Sequence, residues 1–195
     1  MKLLLASQSP RRKELLEQAG YTFEVHPAKA EETFDLNCSL DEALEKVAMH
    51  KALEVYDLYP EYLTLAADTI VVYDQQILGK PKSEQDAWDC LKMLSGQTHQ
   101  VKTGVCLLYQ NQKKCFVQTS EVHFRDLSDL DIYHYVSSGK CMDKAGAYGI
   151  QECDFVEWLD GSYSNVVGLP MEALQEVLTL SLIHISEPTR LLSIS

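Results

Sequence analysis

No run of apolar residues in this chain approaches the length a membrane helix needs, so a spanning segment is not expected. Paired cysteines are missing too. Cys38, Cys90, Cys106, Cys115, Cys141 and Cys153 lie far apart, with no CxxC and no histidine at partner spacing. That excludes a zinc site or a disulfide framework and fits reduced thiols in a cytoplasmic protein, used as small apolar residues. Positive charge is scarce: 17 Lys and Arg against 29 Asp and Glu give a net charge of −12. Neither nucleic acid nor an anionic membrane is therefore an expected partner. The chain has no GxxxxGKS/T, so a P-loop hydrolase is unsupported, and no Ser/His/Asp or Cys/His arrangement points to nucleophilic catalysis. It also lacks internal repeats and low-complexity linkers. The apolar run at residues 2–6 is too short for a signal peptide, and Arg11-Arg12-Lys13-Glu14 follows closely.

What is present reads as one domain, since 195 residues suffice for a sizeable core. Residues 2–6 predict a short buried strand, broken by Ser7-Gln8-Ser9. From Pro10, Leu15, Leu16 and Ala19 return at helical spacing, and Gly20 marks the stop. Ser9 is a natural N-cap and Pro10 suits the first helical position. Arg11, Arg12 and Lys13 then crowd a first turn where the helix dipole is already positive, which costs stability unless an anion offsets it. With Ser7 and Ser9 beside free helix amides, the turn reads as a seat for phosphate.

Residues 21–26 alternate as a second strand. Ser39-Leu40-Asp41-Glu42 is a capping box opening a helix to about Leu58. Its apolar stripe is Leu44, Val47, Ala48, Val55 and Leu58, and Lys51 falls on the same face, so it either meets a counter-charge or snorkels to the edge. Residues 63–73 are the most strand-like run, yet Asp68-Thr69 interrupts the centre. A carboxylate in a buried strand must be paired, metal-bound or protonated. A turn at residues 74–76 sends the chain back, bringing Lys80 towards Asp68. Ser83 caps a helix burying Ala87, Trp88, Leu91 and Leu94. His99 reads as a structural hydrogen-bonding residue. Residues 101–109 and 115–124 predict an antiparallel hairpin with Lys113 and Lys114 in its turn. Ser128 caps a helix with Leu130, Tyr133 and Tyr135 inward. Residues 143–151 form a small-residue loop able to approach a ligand. Edge strands are expected at 155–159 and 165–167, and a final helix at 171–178 with Leu174, Val177 and Leu178 inward. The fold class is α/β: a mixed, elongated, curved sheet with flanking helices and a central cleft.

Leu5-Ala6-Ser7-Gln8-Ser9-Pro10-Arg11-Arg12 resembles the opening signature of the Maf family, the septum-formation-inhibitor-like nucleotide pyrophosphatases. Four further segments are similar to that family: Ala67-Asp68-Thr69-Ile70-Val71, Gly79-Lys80-Pro81, Leu94-Ser95-Gly96-Gln97-Thr98-His99-Gln100-Val101, and Asp143-Lys144-Ala145-Gly146-Ala147-Tyr148-Gly149-Ile150-Gln151. The resemblance implies a sheet dividing two lobes, as in inosine-triphosphate pyrophosphatases, commonly in a homodimer. It also implies hydrolysis of a nucleoside triphosphate to the monophosphate and pyrophosphate. Arg11, Thr69 and Gln151 hold the positions at which the family divides. That combination is similar to the branch acting on dTTP and UTP, with modified pyrimidine nucleotides as house-cleaning substrates. Two alternatives stay open: 7-methyl-GTP or another modified nucleotide as substrate, or a nucleotide-binding regulator of septum formation.

Cleaving a phosphoanhydride needs neutralised phosphates, a positioned water and a stabilised leaving group. Arg11, Arg12, Lys51 and Lys80 can supply the cations, and Ser7 and Ser9 can hold phosphate oxygens. Asp68 and Glu32 can ligate Mg²⁺ or Mn²⁺, with Asp68 also able to orient or deprotonate water. Gln151 offers an acceptor and donors to the O4/N3–H edge of thymine or uracil, and Thr69 a hydroxyl to base or sugar. Residues 180–190 resemble the translation of a sequencing-library adapter. The domain is therefore expected over residues 1–179, with 180–195 a non-native tail.

Overall fold

The computed structural model describes residues 2–29, 34–35, 37–110 and 112–185. Strand β1 (Leu3–Leu5) lies between β2 (Phe23–Val25) and β3 (Leu63–Tyr73), parallel to both. β3 runs on well past its neighbour, because β1 ends opposite Leu65. A short strand β4 (Gln76–Leu78) folds back antiparallel, but only along Val71, Val72 and Tyr73. Residues 66–70 of β3 thus have a β-strand on one side only. That side is β5 (Thr98–Tyr109), whose register sets Asp68 opposite Gly104 and Thr69 opposite Thr103. β6 (Gln112–Phe124) and β7 (Val156–Asp160) extend the sheet, giving the order β2-β1-β3-β5-β6-β7 with β4 on β3. The architecture is the mixed α/β sheet with flanking helices that the alternating elements predict.

Side chains alternate across a strand, so β3 serves two layers. Ala66, Ile70 and Val72 face α2 (Leu40–Tyr56), whose Leu44, Ala48, Ala52 and Val55 are buried against them. Leu63, Leu65 and Ala67 face the opposite layer, where Leu16 of α1 (Pro10–Gln18) and Leu174 and Leu178 of α6 (Met171–Ile185) pack. α3 (Glu84–Leu94) and α4 (Asp129–Ser137) cover the far end of that layer around Phe124, Val101 and Val71. The caps are as read: Ser9, Ser39, Ser83 and Ser128 each accept a bond from a first-turn amide, and Ser39 with Glu42 makes a full capping box. No helix among the described residues is long and apolar enough to cross a membrane.

Several local expectations change. α2 ends at Tyr56, and Leu58 is exposed beyond it. In α4 the buried face is Ile132, Tyr135 and Val136, while Leu130 and Tyr133 point outward. The helix is apolar on both sides, and Phe155, packed 5.2 Å from Tyr135, decides which side turns in. Lys113 and Lys114 lie within β6, opposite Leu108 and Leu107, so the hairpin closes more tightly than predicted. Residues 165–167 are not a strand. They end α5 (Tyr163–Val167), which Ser162 caps by accepting from the Asn165 amide and Gly168 terminates. Five residues are too few to show a helical period. His99 is buried on its strand, its Nε2 2.8 Å from the Tyr148 hydroxyl, in line with the structural reading.

Candidate active site

A cleft of about 490 Å³ opens at the bare stretch of β3. The loop leaving β1, the start of α1, Lys51 of α2, Lys80 after β4, residues 143–145 and 148–151, and residues 166–168 line it. Such a position, beyond the carboxyl end of a parallel strand whose neighbours are reached through opposite faces, is where open α/β sheets bind ligands. The volume suits a small molecule.

Because adjacent strand residues point to opposite faces, Asp68 and Thr69 serve different halves of the cleft. Asp68 turns to the α2 side, 5% exposed, and Lys51 Nζ donates to its Oδ1 at 2.6 Å. The inward lysine and the interrupting carboxylate, each costly alone, are therefore partners. Thr69 turns to the α1 side and accepts from Arg12 Nη2 at 3.0 Å. Arg12 also donates Nη1 to Ser7 Oγ at 3.1 Å and Nε to the Gly168 carbonyl at 2.8 Å. Ser7 Oγ accepts from the Ser9 amide as well, and Ser9 Oγ caps the Arg12 amide, so both hydroxyls shape the loop at the cleft wall.

Arg11 reaches across the mouth to Asp143, its Nη1 3.0 Å from Oδ2. Asp143 in turn accepts from Lys144 Nζ at 2.7 Å, and Lys144, buried, also meets Glu152 at 3.0 Å. Burial pushes the Asp143 carboxyl up, but hydrogen bonds from Lys144 and Arg11 outweigh it and hold it below its ordinary value. Lys80 and Gln151 stand exposed on the lining, and Lys80 makes no ion pair among the described residues. Every described residue singled out in the sequence, Ser7, Ser9, Arg11, Arg12, Lys51, Asp68, Thr69, Lys80 and Gln151, lines this one cleft. Glu32, the second expected metal ligand, lies outside the described residues.

Sequence reasoning missed Lys29, Asp143, Lys144 and Glu152. Lys29 stands on the lining, its backbone amide held by the Glu54 carboxylate at 3.0 Å. In the 143–151 loop the sequence reading rests on the glycines, the family likeness and Gln151, and passes over Asp143-Lys144 as a visible charge pair. A Cβ on Gly149 would lie 2.7 Å from the Lys144 side chain, so the space that glycine leaves is filled by the lysine stem. Arg11, Arg12, Lys29, Lys51, Lys80 and Lys144 against Asp68 and Asp143 make the cleft strongly basic in a chain of net −12. That charge distribution focuses a small polyanion at one point.

A family model described as Maf-like protein matches residues 2–180. A protein of Geobacillus sp. (strain WCH70) named dTTP/UTP pyrophosphatase is 46% identical over 171 residues, covering 87% of this chain and 92% of its own length. Its namesake from Halalkalibacterium halodurans is 49% identical over 171 residues, covering 87% and 90%. Among solved structures, the Staphylococcus aureus Ham1 protein superposes with a TM-score of 0.53 at 13% identity, over 93% of this chain and all of that one, a likeness of fold.

Proposed function

The chain belongs to the Maf family, and from that premise we propose that its cleft hydrolyses dTTP and UTP to the nucleoside monophosphate and pyrophosphate. One observation carries the reading above all: Asp68 sits on the bare edge of β3, tied to Lys51 at 2.6 Å, inside a ring of cations. A site that only bound phosphate would have no use for a buried carboxylate there, since it repels the ligand. A carboxylate that takes a proton from water needs that position. Lys51 fixes the carboxylate in one orientation, and Asp68 orients the attacking water and accepts its proton. Arg11, Arg12 and Lys80 neutralise the phosphate chain as charge moves to the leaving pyrophosphate. Gln151, at the mouth, pairs with the O4/N3–H edge of the pyrimidine.

A divalent cation fits the donor set in a limited way. Among the described residues no cluster of three or more metal-ligating side chains exists. Mg²⁺, however, takes one or two carboxylates together with substrate phosphates and water. Asp68, with Glu32, would hold an ion arriving with the triphosphate. When bound, Mg²⁺ or Mn²⁺ supplies charge neutralisation and acidifies a water. The same reading makes the protein a cytoplasmic homodimer that avoids nucleic acid. Six unbridged cysteines and the acidic surface support the first and last of these.

The test is pyrophosphate release from a panel of dTTP, UTP, 7-methyl-GTP, ATP, GTP and CTP. Turnover should be highest on dTTP and UTP, and Asp68→Asn should lower kcat by about a hundredfold or more while circular dichroism stays native. A wild-type protein silent on both pyrimidine nucleotides, or one faster on 7-methyl-GTP, overturns the assignment.

A further inference from the structure

Behind the α1 side of the cleft lies a line of polar groups that the reaction as described does not use. Thr69 Oγ1 and Thr103 Oγ1 are 3.0 Å apart, and Thr103 Oγ1 lies 3.2 Å from the Asn165 carbonyl. Thr103 and Asn165 are fully buried. Thr103 shares its strand face with Val105 and Leu107, where a valine would pack without needing any partner. The asparagine is anchored on three sides: Nδ2 to Val101 O at 3.1 Å and to Ser120 Oγ at 2.9 Å, and its amide to Ser162 Oγ at 3.1 Å.

We infer that Thr103 and Asn165 are positioning residues of the catalytic site, forming a buried hydrogen-bond relay that aims the Arg12 guanidinium through Thr69. The inference rests on the reading of the cleft as a triphosphate site. Proton counting fixes what Thr69 offers Arg12. A hydroxyl has one proton. Thr103 Oγ1 lies 3.2 Å from the Asn165 carbonyl and Thr69 Oγ1 3.4 Å from the Gly168 carbonyl, so one hydroxyl donates to the other and the second donates to a backbone carbonyl, and in both arrangements the Thr69 proton is spent away from Arg12. Thr69 then faces Arg12 with a lone pair only, the polarity an N–H donor requires. The Arg12 donor, the two hydroxyls and the backbone carbonyls beyond them form one connected line, and hydrogen bonds in such a line polarise one another. The second grip on Arg12, Nε to Gly168 O at 2.8 Å, comes from the residue capping the same short helix that carries Asn165. Arginine has long, rotamer-rich reach, and two fixed acceptors, Thr69 Oγ1 on β3 and the Gly168 carbonyl at the end of α5, hold its fork in one plane. A plain core-filling role for Thr103 explains its burial but not why the hydroxyl line ends on a cleft arginine.

Binding of inorganic tripolyphosphate, measured by calorimetry, reads the relay without requiring turnover. Thr103→Val keeps shape and removes the hydroxyl. It should weaken tripolyphosphate binding and raise KM for dTTP about tenfold while kcat changes less than about threefold, the size of one lost bond at a charged group. Thr103→Ser should restore both to within about threefold of wild type. In an Arg12→Lys background, which lacks the fork, Thr103→Val should have no further effect. Should Thr103→Val fail to fold, Asn165→Ala, which removes the anchoring side chain and keeps the carbonyl, replaces it with the same expected loss. A folded Thr103→Val protein with wild-type tripolyphosphate affinity overturns the relay, as does an equal loss in the Arg12→Lys background. Wild-type protein that does not bind tripolyphosphate overturns the site reading itself, and the relay with it. Binding without dTTP hydrolysis overturns only the proposed reaction.

Discussion

Lys51 is a residue whose role its own helix cannot explain. In the stripe Leu44, Val47, Ala48, Val55 it is an interruption, and it becomes intelligible only beside Asp68. Replacing it with methionine keeps the stem and removes the charge, leaving Asp68 without that donor. Lys51→Met should lower kcat on dTTP by at least about tenfold and raise KM, while circular dichroism stays native. His99 makes a different prediction. Burial, with a smaller contribution from repulsion by His123, depresses its pKa from 6.5 to about 4. The unfolded chain therefore takes up a proton that the native state refuses. Stability that is whole above pH 6.5 falls as the pH drops to about 4, by roughly 3 kcal/mol in all. Urea denaturation at pH 7 and pH 4.5 measures this, and a His99→Gln variant should show a flatter slope.

At the level of elements, the starts of helices were legible and their buried faces were not always so. A cap depends on two or three adjacent residues, which is why Ser9, Ser39, Ser83 and Ser128 all fall where their hydroxyls indicate. A face depends on the neighbour. In α4 the sets Leu130/Tyr133 and Ile132/Tyr135/Val136 satisfy helical spacing about equally, and Phe155 with Tyr148 selects the second. Ile132→Ala should accordingly cost about 2–4 kcal/mol in chemical denaturation, and Leu130→Ala no more than about 0.5. The strand expected at residues 165–167 failed because α5 is barely more than one turn. Its Asn165, the anchor of the relay, was invisible for the same reason.

Across the whole molecule, the catalytic geometry depends on how closely α2 lies on the sheet. Gly104 faces Asp68 across the β3–β5 ladder, and a Cβ there would meet Leu44 Cγ and the Leu44 carbonyl at 2.8 Å. Gly104→Ala should push α2 outward at the level of Leu44, about two turns before Lys51 on the same helix, costing about 1–3 kcal/mol. Because the helix carries Lys51, the lower Tm should come with a loss of dTTP turnover measured well below that Tm. Charge is also organised at this scale. The net −12 conceals a basic cleft, because cations far apart along the chain meet at one gap in the sheet.

The sequence by itself determined the α/β class, the helix caps, the basic first turn after a short strand, and the need for partners at Lys51 and Asp68. These follow from local spacing and from the cost of burying an unpaired charge, which no fold escapes. The family resemblance was legible in continuous motifs. Only the tertiary structure decided that Lys51 pairs with Asp68, that Asp68 and Thr69 divide the cleft between two faces, that Asp143 and Lys144 join it, and that Thr103 and Asn165 stand behind Arg12. Each of those depends on strand register and on an edge left bare between β1 and β4. Register and edges are properties of how distant segments meet.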